Sequence, residues 1–444
     1  MSATPKQRRK WILILSALSC LAAVFYGLDG LALKQDQGSS TFGQFKLFTE
    51  VMSVVRENYV QNLETEHLIQ GAMKGMISQL DPHSSVLTPE EFKEMQIETS
   101  GSFAGVGMVI TLKDGLLTVV SPIEDSPAQA AGIRSGDAIL KIDGAATQGM
   151  TTEEAAKRLR GPKGTKVKLL ILSDGTQEPR EVGLVRDVIR VKSVKTSMLA
   201  PGYGYARVSQ FQENTSKELA RQVALLQKQT PLRGLMLDLR NNPGGLLDQA
   251  VAVSDFFLKK GLIVYTKGRR ADQELSFRAK NDGNEPTCPL VVLVNAGSAS
   301  ASEIVAGALQ DQRRAVVLGS QTFGKGSVQS VFPLDEGWAL RLTTALYYTP
   351  KGRSIQATGI APDITVAEGG ETDFKRLKKE PLTFRERDLE RHFENGSENK
   401  KEGASRPALN GPVDLLTTDP QVERAYQILK ALEALEAPLQ QKKG

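Results

Sequence analysis

Hydrophobic positions along this 444-residue chain fall into three regimes. From Phe45 to Leu80 they recur at three- and four-residue spacing: Phe45, Phe48, Val51, Met52, Val55 and Tyr59, then Leu68, Ile69, Ala72, Met73, Met76, Ile77 and Leu80. That spacing predicts two amphipathic helices with wide apolar faces. From Gly101 to Asp187 apolar and polar residues alternate in short runs. Strands are expected over 106–111, 116–120, 138–142, 167–172 and 181–185, with helices over 126–131 and 152–159. From Gly204 onward continuous apolar runs alternate with helical patterns: strands at 205–208, 235–239, 262–265, 290–294 and 315–318, helices at 215–229, 246–257 and 301–310. This is an α/β core whose functional loops gather at strand C-terminal ends. Residues 327–333 and 338–348 read as two further strands. A charged tail from Glu371 to about Asp414 is expected to be mobile, and a last helix over 422–435 to close the N-terminal helical layer.

Length divides these regimes into an export segment over 1–34, a helical region over 40–98, a strand-rich domain over 99–187, an α/β core over 188–370 and a tail over 371–444. Composition is ordinary for a globular protein, 40% hydrophobic and 24% charged. Of the net charge of +5, Lys6, Arg8, Arg9 and Lys10 supply four, so no nucleic-acid-binding surface is implied. That basic start precedes the charge-free run Trp11 to Leu28, which fits an uncleaved signal anchor or a long signal peptide; an anchor is favoured because no A-x-A-like site follows. Either way the remainder is expected on the far side of the inner membrane, periplasmic or extracytoplasmic. Cys20 and Cys288 are the only cysteines, which leaves no disulfide framework and no CxxC metal or redox site.

Candidate chemistry concentrates after the apolar run 289–294. Gly297-Ser-Ala-Ser-Ala-Ser-Glu303 sets three hydroxyls at a predicted helix N-terminus, where unpaired backbone N–H groups and the helix dipole can hold a developing oxyanion. A nucleophilic serine needs a base. The three histidines, His67, His83 and His392, lie in helical or highly charged surroundings and support a Ser-His-Asp triad poorly. Lys325 in Phe323-Gly-Lys-Gly326 is the alternative. An amine with a reference pKa of about 10.4 serves near neutral pH only if burial lowers it to around 7–8. Gln329 shares a face with Lys325 in a strand or a helix, and its amide carbonyl can aim the amine without adding charge.

These segments, with Asp238-Leu-Arg-Asn-Asn-Pro-Gly-Gly245 and Leu80-Asp-Pro-His-Ser84, resemble the carboxyl-terminal processing (tail-specific) protease family from about Phe45 to Asp363. Composition does not choose among Ser298, Ser300 and Ser302; the resemblance puts the nucleophile on Ser300, the general base on Lys325 and the orienting amide on Gln329. It implies oxyanion donors at the Ala301 and Gly245 N–H groups. It also implies a crotonase-like ββα-spiral core with an inserted PDZ domain and helical segments at both ends, and no cofactor or metal. Gly105-Val106-Gly107-Met108 resembles the carboxylate-binding loop of a PDZ domain, whose successive N–H groups cup a substrate's free C-terminus while the peptide adds a strand. Arg160 matches a position that couples the loaded PDZ domain to the active site. The resemblance implies dimerisation through the terminal helices and leaves room for an adaptor protein. His83 is read as turn-stabilising. A non-hydrolytic peptide-binding scaffold is the competing class, and it would require loss of a nucleophile or base that this chain retains.

Overall fold

The computed structural model describes residues 41–113, 115–173, 178–367, 385–393 and 415–440. The expected anchor at 11–28 lies outside them. Among the described residues no helix is long and apolar enough to cross a membrane. The chain divides into a unit ending at Met76 and a unit beginning at Ile77. In the first, helices run over 41–58 and from Thr65 to about Ile77, as the periodicity predicts. Apolar side chains of the first of them stay exposed at Phe42, Phe45, Leu47, Phe48, Val51 and Val54.

The second unit is built on a six-stranded sheet. Its order is Val194–Ala200, Tyr203–Val208, Gly234–Asp238, Leu290–Val294, Val316–Gly319, Ile364–Thr365, parallel from the second strand on. Gly234–Asp238 and Leu290–Val294 are buried at every position, which is why Leu235 to Leu237 and Leu290 to Val294 read as apolar runs; Asp238, at the end of the first, is buried as well. Helices Thr215–Gln229, Leu247–Phe257 and Ala301–Asp311 bury Leu219, Val253, Val305 and Leu309 with one face of the sheet.

The far face is covered by the last helix, Pro420–Gln440. Val422, Ala425 and Leu429 are fully buried against Tyr203, Met236, Val291, Leu293 and Leu318. This corrects the expectation that the helix closes an N-terminal layer. The sheet has two apolar faces and only one is filled by its crossover helices, so the tail supplies the other. Residues 385–393, inside the stretch expected to be mobile, dock on the core with Glu386 fully buried.

A second, antiparallel sheet pairs Ala339–Tyr348 with Ser85–Leu87, Gly261–Gly268 and Ser327–Pro333. Residues 108–185 form a separate small sheet of strands Met108–Lys113, Leu116–Pro122, Ala138–Ile142, Lys166–Leu172 and Arg180–Val185, close to the predicted bounds. Its own core includes Leu117, Ile139, Leu169 and Ile171. Ser102–Gly105 pairs with Asp187–Arg190, so entry and exit of this domain lie side by side.

Candidate active site

At the end of strand Leu290–Val294 the chain turns through Asn295–Ala299 into helix Ala301–Asp311, with Ser300 as its N-cap. Ser300 has φ 53° and ψ −111°, a left-handed φ that costs a non-glycine residue on the order of 1–3 kcal/mol and persists only where the surroundings impose it. The three serines are not equivalent. The Ser298 hydroxyl donates to the Leu239 carbonyl at 2.8 Å, and that of Ser302 donates to the Asn242 carbonyl at 2.9 Å; both are fully buried. The Ser300 hydroxyl makes no hydrogen bond among the described residues and is partly exposed.

The strain is held by Glu303, one turn into the helix. Its carboxylate, fully buried, accepts from Ser300 N at 2.8 Å, Thr322 Oγ1 at 2.5 Å, Gly324 N at 2.7 Å and Lys325 N at 2.9 Å. One side chain therefore fixes both the backbone of the serine turn and the loop that carries the lysine. Burial pushes this carboxyl up to about 7, against four hydrogen bonds that all favour the anion.

Lys325 is partly buried at the entrance to strand Ser327–Pro333, and Gly326 beside it lies so close to Gln356 that a Cβ there would sit 2.3 Å from Gln356 N. Desolvation lowers the lysine below its ordinary 10.5. Arg341 acts in the same direction, while Glu386, Asp81 and Glu303 oppose it. Among the described residues no hydrogen bond joins the Lys325 amine to Ser300. Gln329, in register with Thr343 on the neighbouring strand, donates from Nε2 to Thr343 Oγ1 at 2.8 Å. Its carbonyl oxygen is buried without a partner.

The Asp238 to Gly245 segment passes beside the serine turn. Asn242, fully buried, accepts at its carbonyl from Ala299 N at 3.0 Å, and its Oδ1 takes the Gly244 N–H at 2.9 Å. Gly244 is thereby spent as a donor, whereas the N–H groups of Gly245 and Ala301 have no acceptor among the described residues. Gly245 sits at φ 139°, and a Cβ there would lie 2.2 Å from the Phe211 carbonyl oxygen. Gly245→Ala is accordingly expected to displace this strand of the loop and lower kcat by about a hundredfold, the scale of one lost oxyanion donor, in a steady-state peptidase assay. The segment is anchored by Asp238, fully buried, which accepts from Tyr205 Oη at 2.6 Å and from Arg240 Nε and Nη2 at 3.0 and 2.7 Å. Arg240 in turn meets Asp419 at 2.8 Å and Gln421 at 2.9 Å from the last helical segment.

In the small domain, Phe103, Val106, Met108, Ile110, Ala156 and Leu159 line a groove between strand Met108–Lys113 and helix Thr152–Leu159. The Val106 and Gly107 N–H groups at its end donate to no acceptor among the described residues. Arg160 caps that helix, lies over the Phe103 ring at 5.3 Å and pairs with Glu94 of helix Pro89–Ser100. Sequence reasoning passed over this last helix, although Thr88 and Glu91 form a capping box whose T-x-x-E spacing marks a helix start. It gave Glu303 no role beyond the acid of a helix's first turn, and it passed over Glu386. His83 does more than stabilise its turn: besides the bond from its N–H to Asp81 Oδ1 at 2.8 Å, its Nε2 meets the Glu386 carboxylate at 2.7 Å.

A family model for peptidase family S41 matches residues 202–366, one for a PDZ domain matches 118–173, and one for the activating protease CtpB N-terminal domain matches 27–90. A carboxy-terminal-processing protease of Bartonella bacilliformis is 42% identical over 426 residues, covering 95% of this chain and 96% of its own. A carboxyl-terminal-processing protease of Synechocystis is 43% identical over 323 residues, 71% of this chain and 75% of its own. Among solved structures, a photosystem II D1 C-terminal processing protease is 32% identical with a TM-score of 0.42, covering 70% of this chain and 85% of that one.

Proposed function

This chain belongs to the carboxyl-terminal processing protease family, the serine-type peptidases of family S41, and from that premise we propose that it is an exported endopeptidase working by a Ser300-Lys325 dyad. The observation that carries the dyad is the Glu303 carboxylate, which binds the N–H of both residues at 2.8 and 2.9 Å and so holds the nucleophile turn and the base loop on one group. Neutral Lys325 takes the proton of the Ser300 hydroxyl as Oγ attacks the scissile carbonyl. The tetrahedral oxyanion is held by the N–H groups of Ala301 and Gly245. The Lys325 ammonium then protonates the leaving amine, giving the acyl-enzyme, and the regenerated amine activates a water that releases the new C-terminus. Gln329 orients the amine through its carbonyl oxygen.

Substrates are protein chains with free, apolar C-termini. Their carboxylate is cupped by the loop Gly105-Val106-Gly107-Met108, and their last side chains fill the apolar groove beside it. Arg160, on the rim of that groove and joined to Glu94, is the residue through which occupancy reaches the core. Export rests on the basic start and the run 11–28, which place catalysis at the periplasmic face of the inner membrane. The exposed apolar stripe at Phe42, Phe45, Phe48 and Val51 supports dimerisation through the N-terminal helices, and an adaptor protein is a further candidate partner.

A peptide substrate ending in a free apolar carboxylate is expected to be cleaved with a kcat/KM at least about tenfold above that of its C-terminal amide, one charge-assisted interaction being worth that factor. Equal rates for acid and amide would remove tail capture while leaving the dyad untouched.

A further inference from the structure

The motif Leu80-Asp-Pro-His-Ser84 lies far from Gln329 in sequence, and its residues carry no role in the mechanism above. In the fold its turn is pressed against the strand next to Gln329. Asp81 is 3% exposed. Its Oδ1 accepts from the N–H groups of His83 and Ser84 at 2.8 and 2.9 Å and from Thr343 Oγ1 at 3.0 Å, and its Oδ2 accepts from Ser84 Oγ at 2.5 Å. These four bonds hold the carboxyl below its ordinary value despite burial, so Asp81 is an anion at neutral pH and can only accept.

That fact propagates. With an acceptor-only oxygen on one side, the single Thr343 hydroxyl proton is committed to Asp81, and Thr343 Oγ1 has only lone pairs to offer its other neighbour. That neighbour is the Gln329 amide at 2.8 Å, which must therefore present Nε2 and not Oε1. The Nε2 group also reaches Ser327 Oγ at 3.3 Å. The carbonyl oxygen is left on the other side, buried and unpaired. Ser84 closes the arrangement by accepting the Thr343 N–H at 3.1 Å, which pins the strand to the turn.

We propose that Asp81 and Thr343 are positioning residues of the protease, a donor relay running Gln329 to Thr343 to Asp81 that fixes which end of the Gln329 amide faces the base. This rests on reading Lys325 as the base and Gln329 as its orienting group. An amide free to rotate by a half-turn offers N–H in place of C=O, and an N–H pointed at a neutral amine occupies the lone pair that must take the serine proton. A buried C=O left without its donor also loses the interaction for which it was placed.

The relay predicts a pattern that ordinary packing does not. Thr343→Val removes the hydroxyl at nearly constant volume and is expected to lower kcat about tenfold with KM unchanged, the scale of one hydrogen bond. Thr343→Ser, which keeps the hydroxyl, is expected to recover most of that loss. Asp81→Asn frees the hydroxyl to face either way and is expected to lower kcat similarly. The deciding measurement is a double-mutant cycle in the full-length protein. In a Gln329→Ala background, Thr343→Val should cost nothing further, because the relay acts only through the amide. Peptide binding to the PDZ groove and melting temperature, recorded alongside, confirm that each variant is folded. Additive effects of Thr343→Val and Gln329→Ala, or a Thr343→Ser variant as impaired as the valine, would overturn the relay and leave the dyad standing. A Gln329→Ala variant with full activity would overturn the relay together with the orienting role of Gln329.

Discussion

Lys325→Ala is expected to lower kcat for peptide cleavage by about 10²–10⁴-fold, the usual worth of a positioned general base, and Ser300→Ala by about 10⁴-fold or more, because no neighbouring hydroxyl can substitute. Ser298 and Ser302 are fully buried and committed to backbone carbonyls, so neither can take over the attack. Lys325→Arg should fare no better than alanine, since a guanidinium stays protonated at every useful pH and cannot accept the serine proton. Desolvation lowers the lysine below 10.5, and only its neutral form is active, so kcat/KM rises with pH through that depressed value. Single-turnover hydrolysis measured from pH 6 to 10 checks both points. A Lys325→Ala enzyme with an undiminished acyl burst would end the dyad mechanism.

Glu303→Ala is expected to cost about 3 kcal/mol or more of stability and to lower kcat at least about a hundredfold. The substitution strands two backbone N–H groups of the lysine loop, the Thr322 hydroxyl and the Ser300 N–H in a dry site, where each unsatisfied polar group costs about 1–3 kcal/mol. It also releases the left-handed Ser300 backbone, so the nucleophile loses its aim together with the base. The pH dependence has a definite sign. The carboxyl rises from 4.5 unfolded to about 7 folded, so the folded protein binds the extra proton. The associated stability is complete below about pH 4.5 and is lost as pH climbs through about 7, a change on the order of 3 kcal/mol at about 1.4 kcal/mol per pH unit. Chemical denaturation of the wild type and of Glu303→Gln at pH 5 and pH 8 isolates it. The margin of wild type over Gln should shrink at the higher pH, and a constant margin would show that the carboxyl titrates where free glutamate does.

Much of this was legible in the residues themselves. The strands at 235–239 and 290–294 are buried on both faces, so their apolar runs do not alternate and only Asp238 interrupts them, and the PDZ strands alternate because one face meets water. The edge strand Val194–Ala200 was not seen, since its burial is partial and its residues, VKTSMLA, keep no clean period. The site divides in the same way. Ser300, Lys325 and Gln329 stand on motifs, whereas the groups that set their geometry do so through contacts across the chain. Glu303 had a local signal, the acid of the first turn in helix Ala301–Asp311, directly before the apolar run from Ile304 to Leu309. Glu386 had none: its partners His83 and Gln356 are joined to it only by folding. Asp81 and Thr343 were visible singly, but a donor sequence between residues 262 apart is a property of coordinates.

The covering of the far sheet face by the last helix bears on timing. Asp419 and Gln421 grip Arg240, and Arg240 grips Asp238 at the root of the glycine loop, so the final helical segment is part of what holds the loop proposed to carry an oxyanion donor. A nascent chain that has already synthesised its serine and lysine still lacks this clamp, and its sheet is bare on one side. The clamp on Arg240 therefore arrives after Ser300 and Lys325 in the order of synthesis, and a chain cut before residue 419 would carry both without it.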